Sequence, residues 1–221
     1  MNICIVAGHT TTGKGTGAVG YINESAENRV LGKKVTEYIK KAGHNCDYYE
    51  INKSDTYLKD QTNFANKKAY DVVVQIHFNA CGGTGTETLY RSATGKKYAN
   101  QVNEKLSTMY KNRGIKHDIN DVGRKLHWLS STKYPAILIE TCFVDSKTDT
   151  DKYINNKDAT AKLIAEGIIG KSIQDDPVKS TESNGDLWAV CVGAYKDKNK
   201  ANAIVEELKK KGYTSTYLIP R

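Results

Sequence analysis

The sequence predicts an α/β fold, a mainly parallel twisted sheet flanked by helices on both faces, with a small C-terminal βαβ module. Three observations carry this. "NICIVA", "DVVVQIHF" and "AILIET" are short apolar runs, the pattern of strands buried on both faces. Helix-length segments separate them, as crossover connections require. A polar, Pro- and Gly-containing stretch, "QDDPVKSTESNG", then interrupts the chain at 174–185.

Taken in order, "NICIVA" opens the sheet. A helical period follows over 24–42, with Ala26, Val30, Val35, Tyr38, Ile39 and Ala42 on one stripe and Gly43 as its C-cap. "CDYYEI" is the next strand and 57–70 a helix. "DVVVQIHF" is followed by the turn-rich "NACGGTGT", and "ETLYR" by a helix over 95–112. "AILIET" precedes a last amphipathic helix over 158–173. The expected organisation is therefore a domain over 1–173, a linker over 174–185 and a strand–helix–strand module over 186–221. Ala203, Ile204 and Leu208 form the apolar face of the module's helix. A module of this size has little core of its own and needs a packing partner.

Composition narrows the function classes. With 38% hydrophobic and 26% charged residues among 221, the chain is globular rather than disordered. No run approaches the ~20 apolar residues of a membrane span. Five scattered cysteines without a C-x-x-C pair support neither a disulfide framework nor a cysteine zinc knuckle. The formal net charge of +8 comes from dispersed lysines, which suits a polyanionic surface such as a teichoic-acid-bearing wall better than specific nucleic-acid recognition. "NICIVAG" reads as a strand rather than an export signal. The chain is expected to be made in the cytoplasm of a bacterial host and to act at the wall after release.

"GHTTTGKG" nearly matches a P-loop, but Gly15 stands where Ser or Thr must coordinate Mg²⁺. The chemistry points elsewhere. His9, His77 and Glu140 each follow an apolar strand, so all three arrive at the sheet's carboxyl edge, where open α/β sheets bind ligands. Glu24 opens the first helix on the same side. Two histidines and two carboxylates suit a hydrolytic zinc site with three protein ligands, the remaining carboxylate serving as general base. His44 and His127 read as structural, His117 as part of a polar loop, and Trp128 and Trp188 as core anchors.

"GH", "NESAEN", "IHFNA" and "IETCF", in this order and spacing, resemble the zinc-dependent N-acetylmuramoyl-L-alanine amidases of the Amidase_3 type, most nearly those of clostridial phage endolysins. The resemblance implies Zn²⁺ as cofactor, His9, Glu24 and His77 as its ligands, and Glu140 as the catalytic acid/base. Glu27 is the competing ligand, but Asn23, Glu24 and Asn28 reproduce the family's "NE…N" pattern. Peptidoglycan is the implied substrate. The tail "LWAVCVGAYKDKNKANAIVEELKKKGY" resembles half of a SPOR repeat, implying a wall-binding module or, by pairing of two halves, a homodimer. Competing readings are a zinc peptidase cutting within the stem peptide and a non-catalytic wall-binding protein.

Overall fold

The structure is a computed structural model, described here for residues 1–174 and 197–213. The chain divides into two compact units, Met1–Gln174 and Asp175–Arg221.

In the first unit the sheet has six strands: β1 (Asn2–Ala7), β2 (Asn45–Tyr49), β3 (Val72–Asn79), β4 (Thr86–Tyr90), β5 (Asn112–His117) and β6 (Ala136–Phe143). Their order is β2-β1-β3-β6-β4-β5. Every pairing is parallel except that of β4 with β6. The expected sheet, mainly parallel and covered on both faces, is the one formed.

The two-residue period of the central strands explains the two layers. Ile3 and Ile5 of β1, Val72, Val74 and Ile76 of β3, and Ile137 and Ile139 of β6 point to one face. There they meet α1 (Glu24–Lys41), α3 (Ala93–Leu106) and α6 (Lys157–Ile169). Cys4, Val6, Val73 and Leu138 point the other way, against α2 (Tyr57–Ala65) and α4 (His127–Ser131). Trp128 of α4 is the anchor of that second layer, its Nε1 donating to the Ile137 carbonyl at 2.9 Å. Burying such large apolar side chains contributes roughly 1.5–3 kcal/mol each. A short helix, α5 (Lys147–Asn155), links β6 to α6.

Several expected boundaries change. The helix expected over 95–112 ends at Leu106, and Asn112–His117 becomes edge strand β5. "NRGIKH" has one large apolar residue and a glycine, so it carries no strand period of its own; pairing with β4 makes it a strand. His117 thus ends a strand rather than lying in a loop. The helix expected over 57–70 stops at Ala65, and that expected over 158–173 runs from Lys157 to Ile169, ending at Gly170 in the left-handed conformation.

The stripe expected on α1 is also rotated. Ala26 and Val30 face solvent, while Asn28, Arg29, Leu31, Val35 and Ile39 are buried. The two polar members turn inward because backbone carbonyls at the sheet edge receive their hydrogen bonds.

Of the second unit, α7 (Lys198–Lys210) is described. Asp197 caps it, accepting from the Asn199 and Lys200 amides, and its surface carries the ion pairs Lys209–Glu206 and Lys211–Glu207. The strands expected on either side of it, Cys191, Trp188 and any pairing between two copies lie outside the described residues. Cys4, Cys46, Cys81 and Cys142 are free thiols, all buried but Cys81. Among the described residues no helix is long and apolar enough to cross a membrane.

Candidate active site

The cleft opens at the carboxyl ends of β1, β3 and β6. The parallel register aligns His77 of β3 with Glu140 of β6, and β1 ends two residues before His9. Glu24 arrives from the other direction, as the first residue of α1. That helix starts there because Asn23 caps it, its side chain accepting from the Ala26 amide at 3.0 Å.

The four residues selected from sequence meet at this point. One nitrogen each from His9 and His77 and one Glu24 oxygen lie within 4.8 Å of one another. Glu24 Oε1 is 2.9 Å from His77 Nδ1 and 3.2 Å from His9 Nε2, and it accepts from the Phe78 amide at 3.2 Å. Its other oxygen accepts from the Ala18 amide at 2.8 Å. Glu24 is 3% exposed, so these contacts fix it completely. Burial alone would push its carboxyl up, but the hydrogen bonds to His77 and His9 outweigh that and hold it well below the ordinary carboxylate range.

Two close approaches make the geometry possible. A Cβ on Gly8 would stand 2.4 Å from His77 Nε2, and one on Gly17 would stand 2.8 Å from Glu24 Oε2 and 2.9 Å from the His9 ring. Gly8 and Gly17 are therefore packed against the site. His9 itself has φ 63°, an uncommon left-handed conformation for a non-glycine residue. It is held there from two sides. Its Nδ1 donates to the Gly15 carbonyl at 2.8 Å, and its own carbonyl accepts from Arg29 at 3.2 Å.

Those bonds also test whether a metal fits. A ring nitrogen facing a carbonyl oxygen must carry the proton, so neutral His9 turns the Nε2 lone pair toward Glu24 Oε1. A lone pair and a carboxylate oxygen 3.2 Å apart repel unless a cation lies between them. The proton answers part of this need: although burial lowers it, Glu24 raises the His9 pKa above its ordinary value. A divalent metal answers all of it, and a His/His/Glu set with a tautomer fixed from behind is the donor set of a hydrolytic zinc site. The residues fit zinc.

Glu140 is set apart from this group. Its Oε2 is buried without a hydrogen-bond partner, which leaves Oε1 as the oxygen meeting the cleft. Burial, then the charges of Glu24 and of its cross-strand neighbour Glu87, push its carboxyl up to about 8. Glu27, the competing acid, is committed elsewhere: it binds Lys157 Nζ and accepts from the Tyr153 hydroxyl at 2.9 Å. Cys142 packs into the core rather than the cleft. The cleft has a volume of about 260 Å³ and is also lined by Tyr57, Arg124 and His127.

A family model described as N-acetylmuramoyl-L-alanine amidase matches residues 3–170. The chain belongs to this family. The catalytic domain of the CD27L endolysin targeting Clostridia difficile is 35% identical, with a TM-score of 0.72, over 79% of this chain and 99% of that domain. The N-acetylmuramoyl-L-alanine amidase from Clostridium difficile 630 is 25% identical, with a TM-score of 0.66, over 76% of this chain and 95% of its own. The sporulation-specific N-acetylmuramoyl-L-alanine amidase of Bacillus subtilis is 31% identical over 171 residues, 75% of this chain and 64% of that protein. An uncharacterized protein of Clostridium perfringens is 34% identical over 194 residues, 80% of this chain and 54% of its own. The chain thus spans about half the length of the first curated relatives it matches. A model described as the SPOR domain matches residues 155–220, starting at the end of α5.

Sequence reasoning missed the residues of this amidase-family site that hold the ligating candidates in place. Arg29 is 7% exposed and donates to the carbonyls of Ser25, His9 and Ile51. Asn28 donates to the Gly8 carbonyl at 3.1 Å. No local pattern in the sequence marks Arg29 as buried, and Asn28 stood out there only as part of the "NE…N" pattern.

Proposed function

We propose that the chain is a zinc-dependent peptidoglycan amidase, hydrolysing the amide between N-acetylmuramic acid and L-alanine. The observation that supports this most strongly is the convergence of His9, Glu24, His77 and Glu140 on one cleft in a member of the amidase family. Zinc held by His9, Glu24 and His77 would supply Lewis acidity at the scissile carbonyl and acidify a water there. Gly15 and Arg29 keep His9 aimed, and the Phe78 and Ala18 amides keep Glu24 from turning. Glu140 receives the proton of the attacking water on Oε1. It then delivers that proton to the alanine nitrogen as the C–N bond breaks. Burial raises its carboxyl in the metal-free protein, and a cation held by His9, Glu24 and His77 would restore the carboxylate that accepts the proton.

We further propose an endolysin role, in which the protein reaches the wall after release from the cell that makes it. This is supported by the resemblance to the CD27L catalytic domain over nearly all of that domain. The net charge of +8 is compatible with an anionic wall.

Two variants test the division of labour. Glu140→Ala retains about one equivalent of zinc and loses at least ~100-fold in turnover, whereas His77→Ala loses both zinc and turnover. A fully active Glu140→Ala would contradict the assigned role.

A further inference from the structure

The cleft holds one cation that contributes its charge to Glu140 but whose side chain makes no hydrogen bond among the described residues. Arg124 lines the same cavity as His9, Glu24, His77 and Glu140. Four other cations of this unit are committed. Arg113 and Lys116 both bind Glu87 at 2.7 Å, Arg91 pairs with Asp118, and Arg29 is spent on backbone carbonyls. The Arg124 guanidinium has no hydrogen bond or ion pair among the described residues.

Its position is nevertheless defined. The segment after β5 folds back on buried Asp118, whose carbonyl accepts from the Arg124 amide at 3.1 Å. The Asp118 side chain accepts from the Leu126 amide at 3.1 Å. The preceding turn is closed by the Gly123 amide donating to the Ile119 carbonyl. An exposed arginine on a pinned loop, unpaired and overlooking a carboxylate-lined cleft, is a recogniser of an anion brought by the ligand.

This reasoning rests on the amidase reading, which supplies the ligand. The glycan side of the scissile bond carries hydroxyl and acetamido groups and no charge. The carboxylates lie on the peptide side, and the first of them belongs to the residue after L-alanine. That residue is D-isoglutamate when its α-carboxyl is free and D-isoglutamine when it is amidated. The free α-carboxylate of this residue is the carboxylate of the stem nearest the scissile amide.

We propose that Arg124 binds the free α-carboxylate of the second stem-peptide residue, so that the chain discriminates between D-isoglutamate and D-isoglutamine walls. Arg124 is thereby a specificity-determining residue on the peptide side of the cleft. The guanidinium offers a two-pronged set of N–H donors that a carboxylate satisfies and an amide, with one oxygen and one NH₂, does not.

The test compares two synthetic muropeptides that differ only at this group, using the full zinc-loaded chain and reading kcat/KM from release of the alanine amine. The parent protein is expected to prefer the free acid by about tenfold, the size of a charge-assisted hydrogen bond kept or lost. Arg124→Gln brings the ratio near one, and Arg124→Lys restores part of it. A general loss of folding would lower both rates and leave the ratio unmoved. A parent ratio near one, or a tenfold ratio that survives in Arg124→Gln, overturns the assignment. Failure of the parent to cleave either muropeptide would instead overturn the amidase reading, and this inference with it.

Discussion

Replacing Gly8 by alanine tests the site at its tightest point. Gly8 follows β1 directly, and its backbone is not left-handed, so alanine is tolerated there on conformational grounds. The new methyl, however, lies 2.4 Å from His77 Nε2 and 2.5 Å from Cε1. Ordinary van der Waals contact begins at 3.4 Å, so the imidazole must retreat by about 1 Å. Its 2.9 Å contact with Glu24 then breaks. Metal ligands tolerate about 0.2 Å of displacement, so we expect zinc affinity to fall by about 100-fold. The protein stays folded, since overpacking of this kind costs about 1–3 kcal/mol. Competition titration against a chelator measures the affinity, and circular dichroism confirms the fold. A folded Gly8→Ala protein that binds zinc within threefold of the parent would refute the claim that His77 is a ligand held at this distance.

Two further outcomes follow from buried charge. Arg29→Met leaves the carbonyls of His9 and Ile51 without a donor and should cost about 3 kcal/mol in urea unfolding, with faster zinc loss to a chelator as His9 loosens; an unchanged midpoint would show that the network is dispensable. Glu140 carries a pH dependence whose sign is fixed by its raised pKa: in the metal-free protein its neutral form is favoured, so stability is full below about pH 4.5 and is lost as pH rises toward 8. Glu140→Gln removes this term and should be more stable than the parent by about 2–3 kcal/mol at pH 7 but not at pH 4; equal pH profiles for the two proteins would contradict the buried, uncharged carboxyl.

The parts of the fold legible in the sequence were those whose burial is symmetric. β1, β3 and β6 are covered on both faces, so each carries an apolar run that stands out. His9 follows β1, and His77 and Glu140 lie near the carboxyl ends of β3 and β6, so the three could be placed at one edge. β5 was invisible because it is an exposed edge strand stabilised by a partner, not by its own side chains. α1 was legible as a helix but its orientation was misjudged. The inward turn of Asn28 and Arg29 depends on carbonyls contributed by Gly8, His9 and Ile51, which no local pattern reveals. The same holds for Gly8 and Gly17. Their lack of a side chain matters only because His77, His9 and Glu24 arrive there from distant parts of the chain.

The central claim is the bond that is cut, and product analysis tests it most directly. Purified peptidoglycan is digested with the zinc-loaded chain and the products are read by mass spectrometry. The account predicts intact stem peptides with a free L-alanine amino terminus and glycan strands whose lactyl groups end in carboxylate. Fragments cut within the stem peptide, or turnover undiminished after complete removal of zinc, would contradict it.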